Sequence, residues 1–200
     1  MHYYATPNQP AIRDAMARDQ IRAITTPRSG DHIPHPIRWA ADNGCYGTGY
    51  PGDRAYLKWL RLHPARTRCD FAVAPDVVGD ATATLARSRP LLARIRLLGY
   101  PVAYVAQDGQ QAHLPDWDTF DVLFLGGTTE FKLGVAARAL TRYALEAGKP
   151  VHMGRVNSYR RLAYAHSIGC TSADGTYLTW RPVIGLPEIL DWLTRLEGTR

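Results

Sequence analysis

Short apolar runs alternate with longer amphipathic stretches along the whole chain, and this rhythm limits the possible folds more than any other feature. The runs fall at 2–5, 23–25, 38–41, 71–74, 102–106, 122–125, 151–153 and 170–172, and several are apolar on both faces. A strand apolar on both faces must be covered on both, which is the condition of a parallel strand between layers of helix. Helix-like segments separate the runs at 10–19, 53–62, 80–98, 132–147, 158–167 and 187–196. Asp80 stands before the longest as an N-cap, and Gly99 and Gly148 follow two of them where a left-handed closing residue belongs. Eight strands joined by right-handed crossovers predict a closed (β/α)8 barrel, of the TIM-barrel kind, rather than an open sheet. The chain has 200 residues, near the lower limit for that fold. The connections 26–37 and 108–121 look too short or too rich in proline for full helices. The expectation is therefore a reduced α/β barrel forming one domain over residues 1–200.

With 46% hydrophobic and 21% charged residues the sequence is that of a folded chain with a sizeable core, which excludes disorder. No window approaches the roughly 18–20 apolar residues of a membrane span, and the N-terminus MHYYATPNQP lacks the basic and apolar regions of a signal peptide. A cytoplasmic location and no membrane partner are expected. Cys45, Cys69 and Cys170 are too widely spaced for a metal knuckle and odd in number, so they read as reduced core thiols. The net charge of +6 comes mainly from arginine. The planar guanidinium suits phosphate oxygens, which leaves a nucleic-acid partner open beside the plainer reading of a coding bias toward arginine.

In a barrel of this kind the working groups stand at the C-terminal ends of the strands. Those positions hold Asp42 in ADNGCYG, Asp76 in APDVVGD, Gln107 and Asp108 in VAQDGQ, Gly126 and Gly127 in FLGGTT, Gly154, Arg155 and Asn157 in HMGRVNS, and Asp174 in SADGT. Carboxylates from different strands around one pocket can divide the work of nucleophile, proton carrier and reader of a donor-rich ligand edge. Asp174 precedes a glycine, so a turn aspartate is the competing reading. The glycine pair would let a flat ligand approach backbone groups, or form a tight turn. Tyr46 and Met153 either sandwich a planar ring or belong to the core. Asp42, Asp76, Asp108 and Asp174 could cage a hard cation. However, His152 lies one residue early on its strand and no strand-end histidine completes a transition-metal site, so no metal is expected. Arg155, Arg160 and Arg161 follow the seventh strand, where they hold flanking phosphates or form a solvated helix start.

The same positions resemble the motifs of tRNA-guanine transglycosylases. Asp42-Asn43-Gly44-Cys45-Tyr46 is similar to their D-S-G-G-[FY] segment, Ala74-Pro75-Asp76 to the segment of their base-reading aspartate, and Val105-Ala106-Gln107-Asp108-Gly109 to V-Q-G. Leu125-Gly126-Gly127 resembles the G-G-L loop, His152-Met153-Gly154-Arg155-Val156 the L-M-G-V-G strand, and the run from Gly169 to Asp174 G-x-D-x-F-D. The segments keep the family's order over about residues 38–178. In scale the chain is similar to the small actinobacterial and phage members, a group that includes enzymes placing 7-deazaguanines in DNA.

The resemblance implies a (β/α)8 barrel and exchange of guanine for a 7-deazaguanine base in a nucleic acid, with no cofactor. It implies Asp174 as nucleophile and Asp42 as the group that takes a proton from the incoming base. Asp76 would read the N1–H and exocyclic amine, Gln107 and the Gly126–Gly127 backbone would meet the carbonyl edge, and Tyr46 and Met153 would stack on the ring. The 26 residues after Asp174 hold neither Cys nor His, so the zinc-binding subdomain of the tRNA enzymes is not expected, and DNA is favoured over tRNA. A partner protein or a second copy supplying the missing grip stays open. So do hydrolysis by an N-glycosidase acting on nucleosides or nucleotides, and a binding module without turnover.

Overall fold

The computed structural model describes residues 1–110 and 116–198. Eight strands, β1 (His2–Ala5), β2 (Arg22–Thr25), β3 (Trp39–Ala41), β4 (Cys69–Val73), β5 (Val102–Ala106), β6 (Val122–Leu125), β7 (Val151–Met153) and β8 (Ser172–Asp174), close into a barrel in sequence order. Every neighbouring pair is parallel, and β1 seals the barrel against β8 with Tyr4 opposite Asp174. The outer layer holds α1 (Pro10–Ala17), α2 (Asp53–Leu62), α3 (Ala81–Leu97), α4 (Thr129–Leu133), α5 (Val135–Glu146), α6 (Tyr159–Ser167), α7 (Tyr177–Trp180) and α8 (Pro182–Glu197). The expected reduced (β/α)8 barrel is the fold observed.

Strand side chains alternate between two apolar layers, as a period of two requires. Tyr4, Ala40, Phe71, Val73, Ala103, Val105 and Val122, with Ile24 and Phe124 beside them, fill the lumen. Their neighbours in sequence, among them Tyr3, Trp39, Ala72, Tyr104, Leu123, Met153 and Ala173, belong to the larger core under the helices. The N-terminal mouth is plugged by ions. Asp70 accepts from Tyr4 Oη at 2.8 Å and from Arg22 at 3.1 Å, and it also pairs with Arg38. The opposite mouth is left for the strand-end residues.

The connection 26–37 carries no helix, as its prolines foretell. In 108–121 the described part holds no α-helix, a 3-10 turn stands at Trp117–Thr119, and residues 111–115 lie outside the described residues. Of the boundaries that differ from expectation, three change the reading of an element. The helix expected at 132–147 is split at Gly134, whose extended backbone ends α4 and caps α5. The last helix begins at Pro182, an N-terminal proline whose fixed φ suits that position as well as Pro187's would. The eighth strand lies two residues later than expected. Gly169 takes φ 101° and the Cys170 amide bonds back to Ala165 O, so the apolar stretch before Ser172 closes α6 instead of starting the strand. No described helix is long and apolar enough to cross a membrane.

Candidate active site

At the C-terminal mouth lies a cavity of about 190 Å³, lined by residues of strands β2 to β8 and the loops after them. Its apolar walls are Ile24, Val73, Val105 and Phe124, and its polar groups are Asp42, Asn43, Asp76, Gln107, Arg155, Asp174 and Thr176. The acids at 42, 76 and 174 come from three separate strand ends and share this one space.

The two-residue shift of β8 decides the question raised by Asp174. It is the last residue of the strand, not a turn residue, and with Ala173 facing the helices it faces the lumen. The following glycine is required by close approach. A Cβ on Gly175 would stand 2.3 Å from Asn157 Oδ1, 2.4 Å from Tyr3 Oη and 2.5 Å from Val156 O. Asp174 Oδ1 lies 2.9 Å from His152 Nε2, and Oδ2 accepts from the Arg155 amide at 3.4 Å. In the sequence His152 reads as one residue too early on its strand for a ligand. That same offset turns it inward, and in the barrel register it lies beside Ser172 on β8. Strict alternation along β7 and β8 is the signal that could have found it.

Asp42 is pushed from the ordinary carboxyl value of 3.8 up to about 7. Burial is the largest cause, followed by the charges of Asp174 and Asp76, while backbone amides of Asn43 and Gly44 pull the other way. Asp76 is also raised, again chiefly by burial. Both of its oxygens are engaged: Oδ1 accepts from Asn43 Nδ2 at 2.8 Å and Oδ2 from Gln107 Nε2 at 2.6 Å. Gln107 is oriented in turn by the Gly79 amide, which donates to its Oε1 at 2.9 Å, and Asn43 also donates to Ala74 O. Asn43 is therefore a second element of this rigid network, although the sequence offered it only as a neighbour of Asp42.

Gly126 and Gly127 line the cavity. Gly127 has φ 69°, and a Cβ there would lie 2.5 Å from Asp108 Oδ2. Asp108 itself is used in holding this loop, accepting from the Thr128 amide at 2.8 Å and from Thr128 Oγ1 at 2.6 Å. Among the described residues no group of three or more His, Cys, Asp or Glu is arranged to hold a metal ion.

Three residues lie differently from expectation. Met153 does not line the cavity. Alternation sends it into the core under the helices, and Phe124 on the adjacent strand lines the cavity in its place. Tyr46 lines the mouth but is 65% exposed, so it is a rim residue and not a buried stacking wall. Arg155 does not project toward solvent as a free phosphate ligand would. Its backbone takes φ 59°, its guanidinium donates to Gly127 O, and it lies 4.2 Å from the Tyr46 ring centre. Arg160 is exposed at the start of α6, and Arg161 is half-buried. Behind the cavity wall, buried Lys132 donates to Gly154 O at 2.7 Å and is lowered to about 8, by burial first and then by Arg155. No local pattern in the sequence marks Lys132.

The arrangement joins an acid poised near neutrality, a second carboxylate held by an imidazole, and a rigid acceptor–amide pair on an apolar slot. It can bind a flat ligand with donors along one edge and pass a proton beside a carboxylate nucleophile. No protein-family model matches the chain, and none of the curated proteins matches it.

Proposed function

We propose that the protein exchanges a guanine in a nucleic acid for a 7-deazaguanine base, as the motifs of the transglycosylases suggest. The target nucleotide enters the mouth flipped out of its stack, because a paired duplex hides the anomeric carbon. The base lies in the slot between the apolar walls, with its N1–H and exocyclic amine toward Asp76 and its carbonyl edge toward the Gln107 amide and the Gly126–Gly127 backbone. Asp174 attacks C1′, the C1′–N9 bond breaks, and guanine leaves with the proton of Asp42. The incoming deazaguanine then gives its N9 proton to Asp42 as N9 attacks C1′, and the ester bond to Asp174 breaks with its electron pair returning to the carboxylate. A group that ionises near pH 7 serves in both directions, which is the demand placed on Asp42. No cofactor takes part. The exposed Arg160 is positioned for a flanking phosphate, and Arg155 covers the mouth until a ligand displaces its bond to Gly127.

The observation that carries this reading is the meeting of Asp42, Asp76 and Asp174 in one cavity that also holds Gln107 and the glycine pair. The test is mass spectrometry of nucleosides from DNA and from RNA after incubation with labelled guanine or 7-cyano-7-deazaguanine. Label entering DNA is expected. Label entering RNA alone would move the substrate to RNA, abasic sugar without label would make the enzyme a hydrolase, and neither product would end the reading.

A further inference from the structure

His152 is a titratable side chain enclosed in the barrel lumen, and both of its polar contacts are made to β8. It is fully buried. Aromatic rings surround it, with centroids at 4.5 Å for Phe124, 5.2 Å for Phe71 and 5.5 Å for Tyr4. Its Nδ1 lies 2.9 Å from Ser172 Oγ and its Nε2 2.9 Å from Asp174 Oδ1. An ionised carboxylate only accepts, so Nε2 carries the proton. In the neutral ring Nδ1 is then the acceptor, and the Ser172 hydroxyl donates to it. Ser172 is itself buried, so it orients the ring and does not meet a ligand.

We infer that His152 is the positioning residue of Asp174: a fixed imidazole donor that engages Oδ1 and leaves Oδ2 to form the bond to the ligand. The inference rests on the base-exchange reading and adds to it an assignment of the two carboxylate oxygens. Oδ2 has only the 3.4 Å contact with the Arg155 amide among the described residues, so it is the oxygen more readily given up to a new bond. In the ester Oδ1 becomes the carbonyl oxygen and still accepts from Nε2–H. When the ester breaks, the charge returning to the carboxylate spreads onto Oδ1, where the same donor already points. The ring gains and loses no proton in either half. Its donor is in place before the charge arrives, and a donor fixed in advance in a dry site acts most strongly on the rate. The aromatic rings prevent the imidazole from turning away, and Ser172 fixes which nitrogen bears hydrogen.

Two variants and one spectrum test this. His152→Leu removes the donor, whereas His152→Gln can bring an amide N–H to about the position of Nε2. Loss of one preorganised donor costs roughly 10²- to 10³-fold in kcat. The leucine variant is expected to show that loss with KM for the free base little changed, and the glutamine variant to recover at least tenfold of it. Equal losses in the two variants, or full activity in the leucine variant, would overturn the assignment. The spectrum needs no activity and covers a leucine variant that fails to fold. Nitrogen-15 correlation of histidine-labelled wild-type protein is expected to show His152 as the Nε2–H tautomer, with the ring signals shifting in Asp174→Asn. An Nδ1–H tautomer, or a doubly protonated ring at neutral pH, overturns the inference. An inactive wild-type protein with the Nε2–H tautomer overturns the exchange reading alone.

Discussion

Replacing Asp42 by asparagine removes a charge that burial and two neighbouring carboxylates oppose, and the size of the effect follows from the titration. The folded protein holds this acid at about 7 against an ordinary 3.8. At about 1.4 kcal/mol per pH unit, keeping the site ionised costs the folded state about 4 kcal/mol. The sign is set by where the proton is bound. Below pH 3.8 both states are protonated and this contribution to stability is fully present. As pH rises the unfolded chain loses its proton first, and stability falls until the folded acid ionises near pH 7. Asparagine does not titrate, and its side-chain oxygen can still accept from the Asn43 and Gly44 amides. The variant should therefore match wild type near pH 4 and exceed it progressively up to pH 8, by as much as about 4 kcal/mol. For a chain of this size that is a rise in melting temperature of about 10 °C. Urea denaturation of both proteins between pH 4 and 8, followed by circular dichroism, measures the difference directly. Parallel pH profiles, or a variant less stable than wild type at pH 8, would refute the argument. A stabilising change that abolishes exchange would show the strain this site retains for its chemistry.

Gly175→Ala should destabilise the protein by about 2 kcal/mol or more, as overpacking does, and should displace Asp174, since the new methyl meets Asn157, Tyr3 and the Val156 carbonyl; thermal melting and base binding by calorimetry check both. Asp108→Ala should cost about 1 kcal/mol by removing the acceptor of the exposed Thr128 amide and hydroxyl, which water then replaces. It should also weaken base binding through the Gly127 loop, and unchanged stability in denaturant would remove that role.

The barrel was legible because its signal is repeated. Four of the eight strands, 2–5, 102–106, 122–125 and 151–153, have the bounds read from their apolar runs, since short β-rich runs between charged and glycine-rich segments leave little choice of register. The eighth was misplaced because Ile168 and Cys170 are apolar for a different reason: they close a helix against the outer core, which a run of hydrophobic letters does not distinguish from a strand. At the site, the acids at 42, 76 and 174 could be read because strand ends in this fold face one rim. Met153 could not, since its facing depends on which residue of β7 turns inward, and that parity is set by pairing with β6 and β8. The same parity hid His152. The positions of Lys132 and Asn43 depend on contacts between elements far apart in sequence, which no local pattern records.

The central claim is that Asp174 carries the sugar. Rapid acid quenching of the protein with a guanine-containing oligonucleotide, followed by proteolysis and mass spectrometry, locates any protein–nucleic acid ester. The account predicts an adduct on the peptide that contains Asp174, absent in Asp174→Asn. Base exchange proceeding in that variant, or an adduct carried by another residue, would contradict it.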